Sequence, residues 1–251
     1  MNPFDAIAPF YDLEHEGLTL DTTMYARLAQ RSQGPVLVMG AGTGRVVKAL
    51  AAQGLEVCGV DSSSGMLDIA RAKCSSYESV DFVLASIESL NLERRFGMVI
   101  VPFDTFSLLE TQAQQLSVLA RSREHVTPNG LVVVDVTNPL ILPDQAQNGL
   151  RRQRFETVEN GRLIRAWDRT EVDPAGQRMQ LIIRYQIEDE ERTEEVEVEL
   201  TVRWVYRFEL EALFQLAGLQ VRSVHGDYGE QPYSQDGSRL IVTGSWSEGS
   251  A

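Results

Sequence analysis

Apolar and polar positions fall into one regime at the two ends of the chain and a different regime between them. Val36-Leu-Val-Met39, Leu55-Glu-Val-Cys-Gly-Val60, Val80-Asp-Phe-Val-Leu84, Phe96-Gly-Met-Val-Ile-Val101 and Leu131-Val-Val-Val-Asp-Val136 are short, nearly continuous apolar runs. Such runs suit strands covered on both faces. Helical spacing separates them, over 45–53 (closed by Gly54), 64–74 and 110–125, with a Thr127-Pro-Asn-Gly130 turn before the fifth strand. Residues 3–32 read as helix in pieces, the second piece starting at Asp21 and ending near Gly34-Pro35.

From 153 to 206 the period drops to two, as in Met179-Gln-Leu-Ile-Ile-Arg-Tyr185 and Val196-Glu-Val-Glu-Leu-Thr-Val202. Turn signals at Glu159-Asn-Gly161 and Asp173-Pro-Ala-Gly176, with a charged loop in 188–195, predict an antiparallel meander of about four strands. The first regime then resumes. A helix over 208–217 is closed by Gly218, and strands follow at 219–224 and 239–243.

The first strand breaks into Gly40-x-Gly42-x-Gly44, and the second ends in Asp61. A strand, a glycine turn and a helix let a ligand lie against bare backbone. A carboxylate at the tip of the next strand, about 20 residues on, suits a ribose diol. Arg45 stands where the dinucleotide fingerprint has its third glycine, which speaks against a dehydrogenase-type binder, and the loop lacks the Lys-Ser/Thr ending of a P-loop.

GxGxG followed by Gly59-Val-Asp-Ser-Ser-Ser-Gly-Met-Leu67 resembles class I S-adenosylmethionine (SAM)-dependent methyltransferases. The meander and the 218–243 segment, with Gly226-Asp-Tyr-Gly229 and Pro232-Tyr233, are similar to small-molecule N-methyltransferases of the glycine, sugar-amine and cypemycin N-terminal kinds. The resemblance implies an α/β, Rossmann-like seven-stranded sheet of order 3-2-1-4-5-7-6 with an inserted antiparallel β meander. Residues 1–150 and 207–246 would form the SAM-binding core, with 1–33 as a helical lid. Residues 151–206 would be the insert, covering the substrate or forming a dimer face. It further implies SAM as methyl donor, S-adenosylhomocysteine (SAH) as product, and a small-molecule acceptor.

On that resemblance Gly40, Ala41, Gly42 and Gly44 carry the cofactor, Asp61 its ribose, and Ser62 and Met66 follow in the same segment. Ser86 and Ile87 fall in the adenine loop, Ser86 where the family has Asp. Met39 replaces an acidic residue of the family, which shifts the methionine ammonium toward carbonyls near Gly40 and Val101. Phe103 would wall off the sulfonium, and Asp104 would hold an amine or cap the next helix. Tyr11, in the lid, is the expected catalytic residue. Asn138, Trp167 and Tyr228 are candidate substrate contacts by location, as are Arg154, Arg169, Tyr185 and Tyr233. His15 and His225 are available as bases for a hydroxyl acceptor, while His125 reads as structural at a helix end.

Composition narrows the partners. The chain has 251 residues, 43% of them hydrophobic, and a formal net charge of −13. That field disfavours nucleic acid and anionic membrane surfaces. Neither cysteine, Cys58 or Cys74, has metal-ligand spacing, so no metal is expected, and their apolar settings suit a reducing, cytoplasmic compartment. No obvious acid/base pair stands out, which favours an amine acceptor, whose lone pair attacks directly. O- or C-methylation, and a SAM-binding protein without turnover, stay open, as does a homodimer through the meander's edges.

Overall fold

The strand order is the one the resemblance implies. In a computed structural model, which describes residues 2–15, 17–141 and 149–248, β1 (Val36–Met39) lies between β2 (Val57–Asp61) and β4 (Phe96–Val101). β3 (Val80–Leu84) forms one edge, and β5 (Val126–Thr137), β11 (Arg239–Ser245) and β10 (Gln220–His225) complete the other side. The first five strands are parallel to their neighbours among themselves, and β11 runs antiparallel to both β5 and β10.

Strand alternation divides the core in two. Leu37 and Met39 turn to the face covered by α5 (Gln112–His125) and α6 (Arg207–Leu216), packing with Leu119 and Phe214. Val36 and Val38 turn to the opposite face, against Met24 and Leu28 of α2 (Leu20–Ser32) and Val47 and Leu50 of α3 (Arg45–Ala51). All four β1 side chains are therefore fully buried, which is why the run shows no polar alternation.

One expectation changes. Thr127-Pro-Asn-Gly130 does not separate α5 from the fifth strand; it lies inside β5 as a bulge. Phe96 pairs with Val126, and Met98, two residues on, pairs with Leu131. Asn129 takes a left-handed φ of 61° there and donates its N–H to the Trp246 carbonyl. The turn residues do supply a chain reversal in miniature, but strand pairing resumes on both sides of it.

The predicted meander is a separate four-stranded antiparallel sheet: β6 (Arg151–Glu159), β7 (Arg162–Asp173), β8 (Arg178–Glu188) and β9 (Thr193–Arg203), in chain order. Its inner face, with Ile164, Ala166, Ile183, Tyr185 and Val198, packs on Ile7 and Ala8 of α1 (Pro3–His15) and on Met66 of α4 (Ser64–Lys73). Its outer face is charged, with pairs such as Arg184–Glu197 and Arg165–Glu156 at 2.6 Å.

Helix α1 lies against the insert sheet and is tied to the glycine segment by its acids. Asp5 accepts from Ser63 Oγ at 2.6 Å and from Gly65 N–H at 3.0 Å, at the start of α4. These bonds hold its carboxyl below the ordinary range. Asp12 accepts from Thr43 Oγ1 and Lys73 Nζ, both at 2.6 Å, and Glu14 pairs with Arg154 of β6 at 2.8 Å.

A buried charge cluster joins β5, β11 and α2. Asp135, with no solvent exposure, accepts from Arg239 Nε at 2.7 Å, from Tyr228 Oη at 3.1 Å and from the Tyr25 hydroxyl. Arg239 also reaches Asp104 at 2.9 Å. Burial opposes the Arg239 charge, but Asp135 and Asp104 outweigh it and raise its pKa well above the ordinary value. The same burial, with Asp135 beside it, raises the Tyr25 phenol, which stays a donor.

Replacing Arg239 by Leu removes one member of this cluster and leaves the Asp135 carboxylate uncompensated. The expected loss is about 3–5 kcal/mol of stability, read as a lower urea midpoint at unchanged slope. A loss under about 1 kcal/mol, the range of an exposed pair, would show that the cluster is not a structural keystone.

Candidate active site

At the carboxyl ends of β1, β2 and β4, between the parallel sheet and the insert, the structure opens a cavity of about 490 Å³. This is where open α/β sheets hold ligands. The glycine turn forms part of its wall. Gly40 and Gly42 both take left-handed φ values, 87° and 53°. A side chain at Gly40 would strike Thr105 at 2.4 Å, whereas Gly42 has nothing within 4 Å of where a Cβ would stand. The turn therefore presents uncovered backbone to the cavity at Gly42.

Asp61, ending β2, reaches the same wall. Its carboxylate accepts from Gly42 N–H at 2.8 Å and Ser63 N–H at 2.9 Å. Burial raises its pKa, partly offset by these backbone donors. Ser62 and Met66 line the cavity beside it, and Ser86 and Ile87 come in from the loop after β3.

Phe103 and Asp104 follow β4 and also line the cavity. Both are left-handed, with φ of 45° and 63°. Each such residue stores on the order of 1–3 kcal/mol of strain and persists only where its surroundings over-determine it. Here they do. Phe103 N–H reaches Asp135 Oδ2 at 3.4 Å, and Asp104 N–H donates to the Asp135 carbonyl at 3.0 Å. The Asp104 carboxylate accepts from Thr137 N–H at 2.6 Å, Thr137 Oγ1 at 2.9 Å and Arg239. It makes no capping bond to the short 3-10 turn at Thr105–Leu108, so neither a free amine-binding carboxylate nor a helix cap describes it.

Two guanidiniums flank the Phe103 ring, Arg45 at 5.2 Å and Arg239 at 5.5 Å from its centroid. Arg45 is itself fixed by a buried two-point pair with Asp21, at 2.8 and 2.6 Å, and by the Leu18 carbonyl. The residue that breaks the dinucleotide fingerprint thus ties α2 and α3 to the cavity wall.

From α1 come Tyr11, Glu14 and His15. Tyr11 and His15 stack with ring centroids 4.3 Å apart, and the His15 ring meets Phe103 edge-on at 5.6 Å. Burial pushes the Tyr11 phenol up to about 12, so it is a neutral hydroxyl at physiological pH. His15 Nδ1 lies 2.9 Å from the Tyr11 carbonyl. A carbonyl only accepts, so Nδ1 carries the proton and Nε2 keeps the lone pair. Burial lowers the His15 pKa, favouring this neutral ring. His225 instead bonds the Glu230 carbonyl and is off the wall, and His125 accepts from Leu92 N–H, at 2.8 Å, as a structural residue.

Ten of the sixteen expected residues meet on this wall, and six do not. Ala41 and Val101 are packed into the two cores. Gly44, at φ 83°, starts α3, and a side chain there would meet Ala70 of α4 at 3.0 Å, so its role is close packing. Asn138 is buried and spans the Ser234, Gln235 and Gly237 carbonyls. Trp167 points from the outer face of β7 and lies under Arg151 at 4.3 Å, because its neighbours Ala166 and Asp168 take the inner face. Tyr228 is committed to Asp135. The weaker candidates Arg154 and Tyr185 do line the cavity. The strongest omissions are Asp135, Arg239 and Asp21. A lone polar residue inside an apolar strand, as at Asp135, is the signal that marks such a partner-seeking group.

The wall brings together bare backbone at Gly42 and the carboxyl group of Asp61, the combination that the resemblance expects of a SAM site. Comparison with known proteins agrees. A methyltransferase domain model matches residues 36–130. Cypemycin N-terminal methyltransferase of a Streptomyces species is 27% identical over 207 residues, 82% of this chain and 81% of that protein. The dTDP-3-amino-3,6-dideoxy-alpha-D-glucopyranose N,N-dimethyltransferase of Streptomyces fradiae is 32% identical over 138 residues, about half of each chain (51% and 52%). The CcbJ methyltransferase from Streptomyces caelestis superposes with a TM-score of 0.81 at 26% identity, covering 98% of both chains. Among the described residues, no helix is long and apolar enough to cross a membrane. Strand order and these relatives converge: the chain is a class I SAM-dependent methyltransferase.

Proposed function

We propose that the protein transfers the methyl group of SAM to an amine nitrogen of a small molecule. The observation that carries this reading is the meeting, on one cavity, of the glycine backbone and Asp61 with the neutral hydroxyl of Tyr11 and the neutral ring of His15. Two relatives whose names specify nitrogen acceptors support the choice of atom.

When bound, SAM supplies an electrophilic methyl group on a positively charged sulfur, and SAH leaves as product. In the proposed arrangement Gly40 and Gly42 would hold the donor's tail and ribose, and Asp61 would accept from the ribose hydroxyls. Ser62, Met66, Ser86 and Ile87 would surround the base. Phe103, with the Arg45 and Arg239 guanidiniums against its ring, would exclude water near the sulfur. Tyr11 Oη accepts a hydrogen bond from the acceptor nitrogen and so directs its lone pair, a positioning role that needs no ionisation. An amine reaches the site mostly as an ammonium ion, and His15 Nε2 takes its proton before transfer. A hydroxyl acceptor would draw on the same imidazole, and mass and NMR analysis of the methylated product separates the two.

Asp61→Ala is expected to weaken SAH binding at least about tenfold by calorimetry, from loss of charge-assisted hydrogen bonds. Affinity equal to wild type would remove Asp61 from the donor site. Tyr11→Phe should lower turnover by about 10-fold or more while SAH affinity stays within about twofold. Equal turnover would reduce Tyr11 to a packing residue.

For His15 the sign follows from its lowered pKa. The unfolded chain takes up the proton at the ordinary value of 6.5 while the folded ring resists it. The stabilisation is present above 6.5 and is lost as pH falls through the folded value. The His15 ring protons should therefore titrate below 6.5 by NMR, and His15→Gln should flatten part of the loss of thermal stability on acidification. A midpoint above 6.5 would contradict a ring held neutral.

A further inference from the structure

We infer that the acceptor is an amine carried on an uncharged, largely apolar body, rather than a nucleotide-linked sugar. The inference rests on methyl transfer at this cavity and specifies its substrate class.

Charge is the first ground. Among the described lining residues the carboxyl groups are Glu14, Asp61, Glu88 and Asp104, and the single guanidinium is Arg154. Arg154 is already committed to Glu14 at 2.8 Å and to Asp168 at 3.0 Å. Arg239 behind the wall is committed to Asp104 and Asp135. Once those pairs are set off, Asp61 and Glu88 are left and no guanidinium or ammonium is. A diphosphate binds through forked guanidinium or ammonium donors, and here it would meet carboxylates instead. A cationic sulfonium or ammonium meets the opposite conditions.

The insert sheet is the second ground. Strand period places Met179, Leu181 and Ile183 of β8 and Leu200 and Val202 of β9 on the cavity. Their polar neighbours Gln180, Arg184, Glu199 and Thr201 alternate with or flank them along the strands. These five side chains form an aliphatic stretch of wall suited to burying hydrocarbon, and beside it the insert's polar lining side chains are the Tyr185 hydroxyl and the ion-paired Arg154.

Trp204, just past β9, extends that wall with its indole ring, and its Nε1 is buried away from the accessible surface. An amine on a hydrocarbon body matches the wall.

The test uses the full chain saturated with SAH and three probes: 3-methylbutylamine, methylamine (the same ammonium without the hydrocarbon body) and thymidine diphosphate. Calorimetry should show 3-methylbutylamine binding at least about tenfold tighter than methylamine, and thymidine diphosphate giving no heat. Leu181→Lys should weaken 3-methylbutylamine about tenfold or more, with SAH affinity held within about twofold. Binding of thymidine diphosphate as tight as that of 3-methylbutylamine would overturn the inference. So would silence of 3-methylbutylamine, or methylamine binding as tightly. Failure of the wild-type chain to bind SAH is a different result, since it would remove the donor site itself.

Discussion

The pairing of Asp135 with Arg239 inside the sheet is the contact on which the site's geometry depends. Two buried charges are costly unless their remaining hydrogen-bonding capacity is met. The sheet meets much of it with Tyr25, Tyr228, Asp104 and backbone N–H groups. The return is conformational. Two consecutive left-handed residues, Phe103 and Asp104, are held against the chain's own preference. Phe103 thereby becomes a fixed wall with two guanidiniums close to its ring. A loop free to relax would let its backbone return to the β or right-handed region and withdraw the ring.

A second layer of charge places α1. Asp5, Asp12 and Glu14 reach α4, the glycine turn and β6, respectively. The helix that carries Tyr11 and His15 is therefore tied to the donor-side cradle and to the insert sheet at once. Its acids are spread along the helix, so the restraint acts on its whole length. The apolar residues Ile7 and Ala8 pack between these ties against Tyr185 and Met66. Position and burial come from different side chains of one helix. The stacked Tyr11–His15 pair is then a consequence of helix spacing, four residues and about one turn apart.

Much of the fold was legible because it is written in period. Continuous apolar runs marked β1, β4 and β5, and alternation marked β8 and β9. The glycines and Asp61 were legible because their chemistry is local: a turn, a strand tip and a short interval. What escaped is non-local. Asp135 and Arg239 are 104 residues apart, and neither has a periodic signature. Asp104 looked like a cap or a ligand carboxylate because both jobs are common after a strand. Its partner, Thr137, lies on a different strand. Trp167 was misplaced for the reason that makes strands readable. Its type suggested a substrate box, but a shift of one residue decides the face, and Ala166 and Asp168 hold the inner one. The Thr127–Gly130 bulge shows the same limit: turn residues specify a local reversal, and only pairing partners decide whether the strand survives it.

The division of labour between the two sheets bears on acceptor choice. Gly40, Gly42 and Asp61 stand at the ends of β1 and β2, strands buried almost throughout, so few of their neighbours can change without disturbing the core. Leu181, Leu200 and Val202 belong to the insert, and their far sides are a solvated, charged face. Substitutions there alter the cavity's lining while the hydrogen-bonded ladder of the insert remains. A frame built this way keeps the donor site constant and lets the acceptor vary. The relatives fit that logic, since one name specifies a peptide terminus and another a nucleotide-linked amino sugar on a similar scaffold. In this chain the insert's contribution to the wall is mostly aliphatic, and the charges left after pairing are carboxylates. On the inferred reading an acceptor gains affinity by burying hydrocarbon and by presenting a cation, two requirements that a phosphorylated sugar meets poorly.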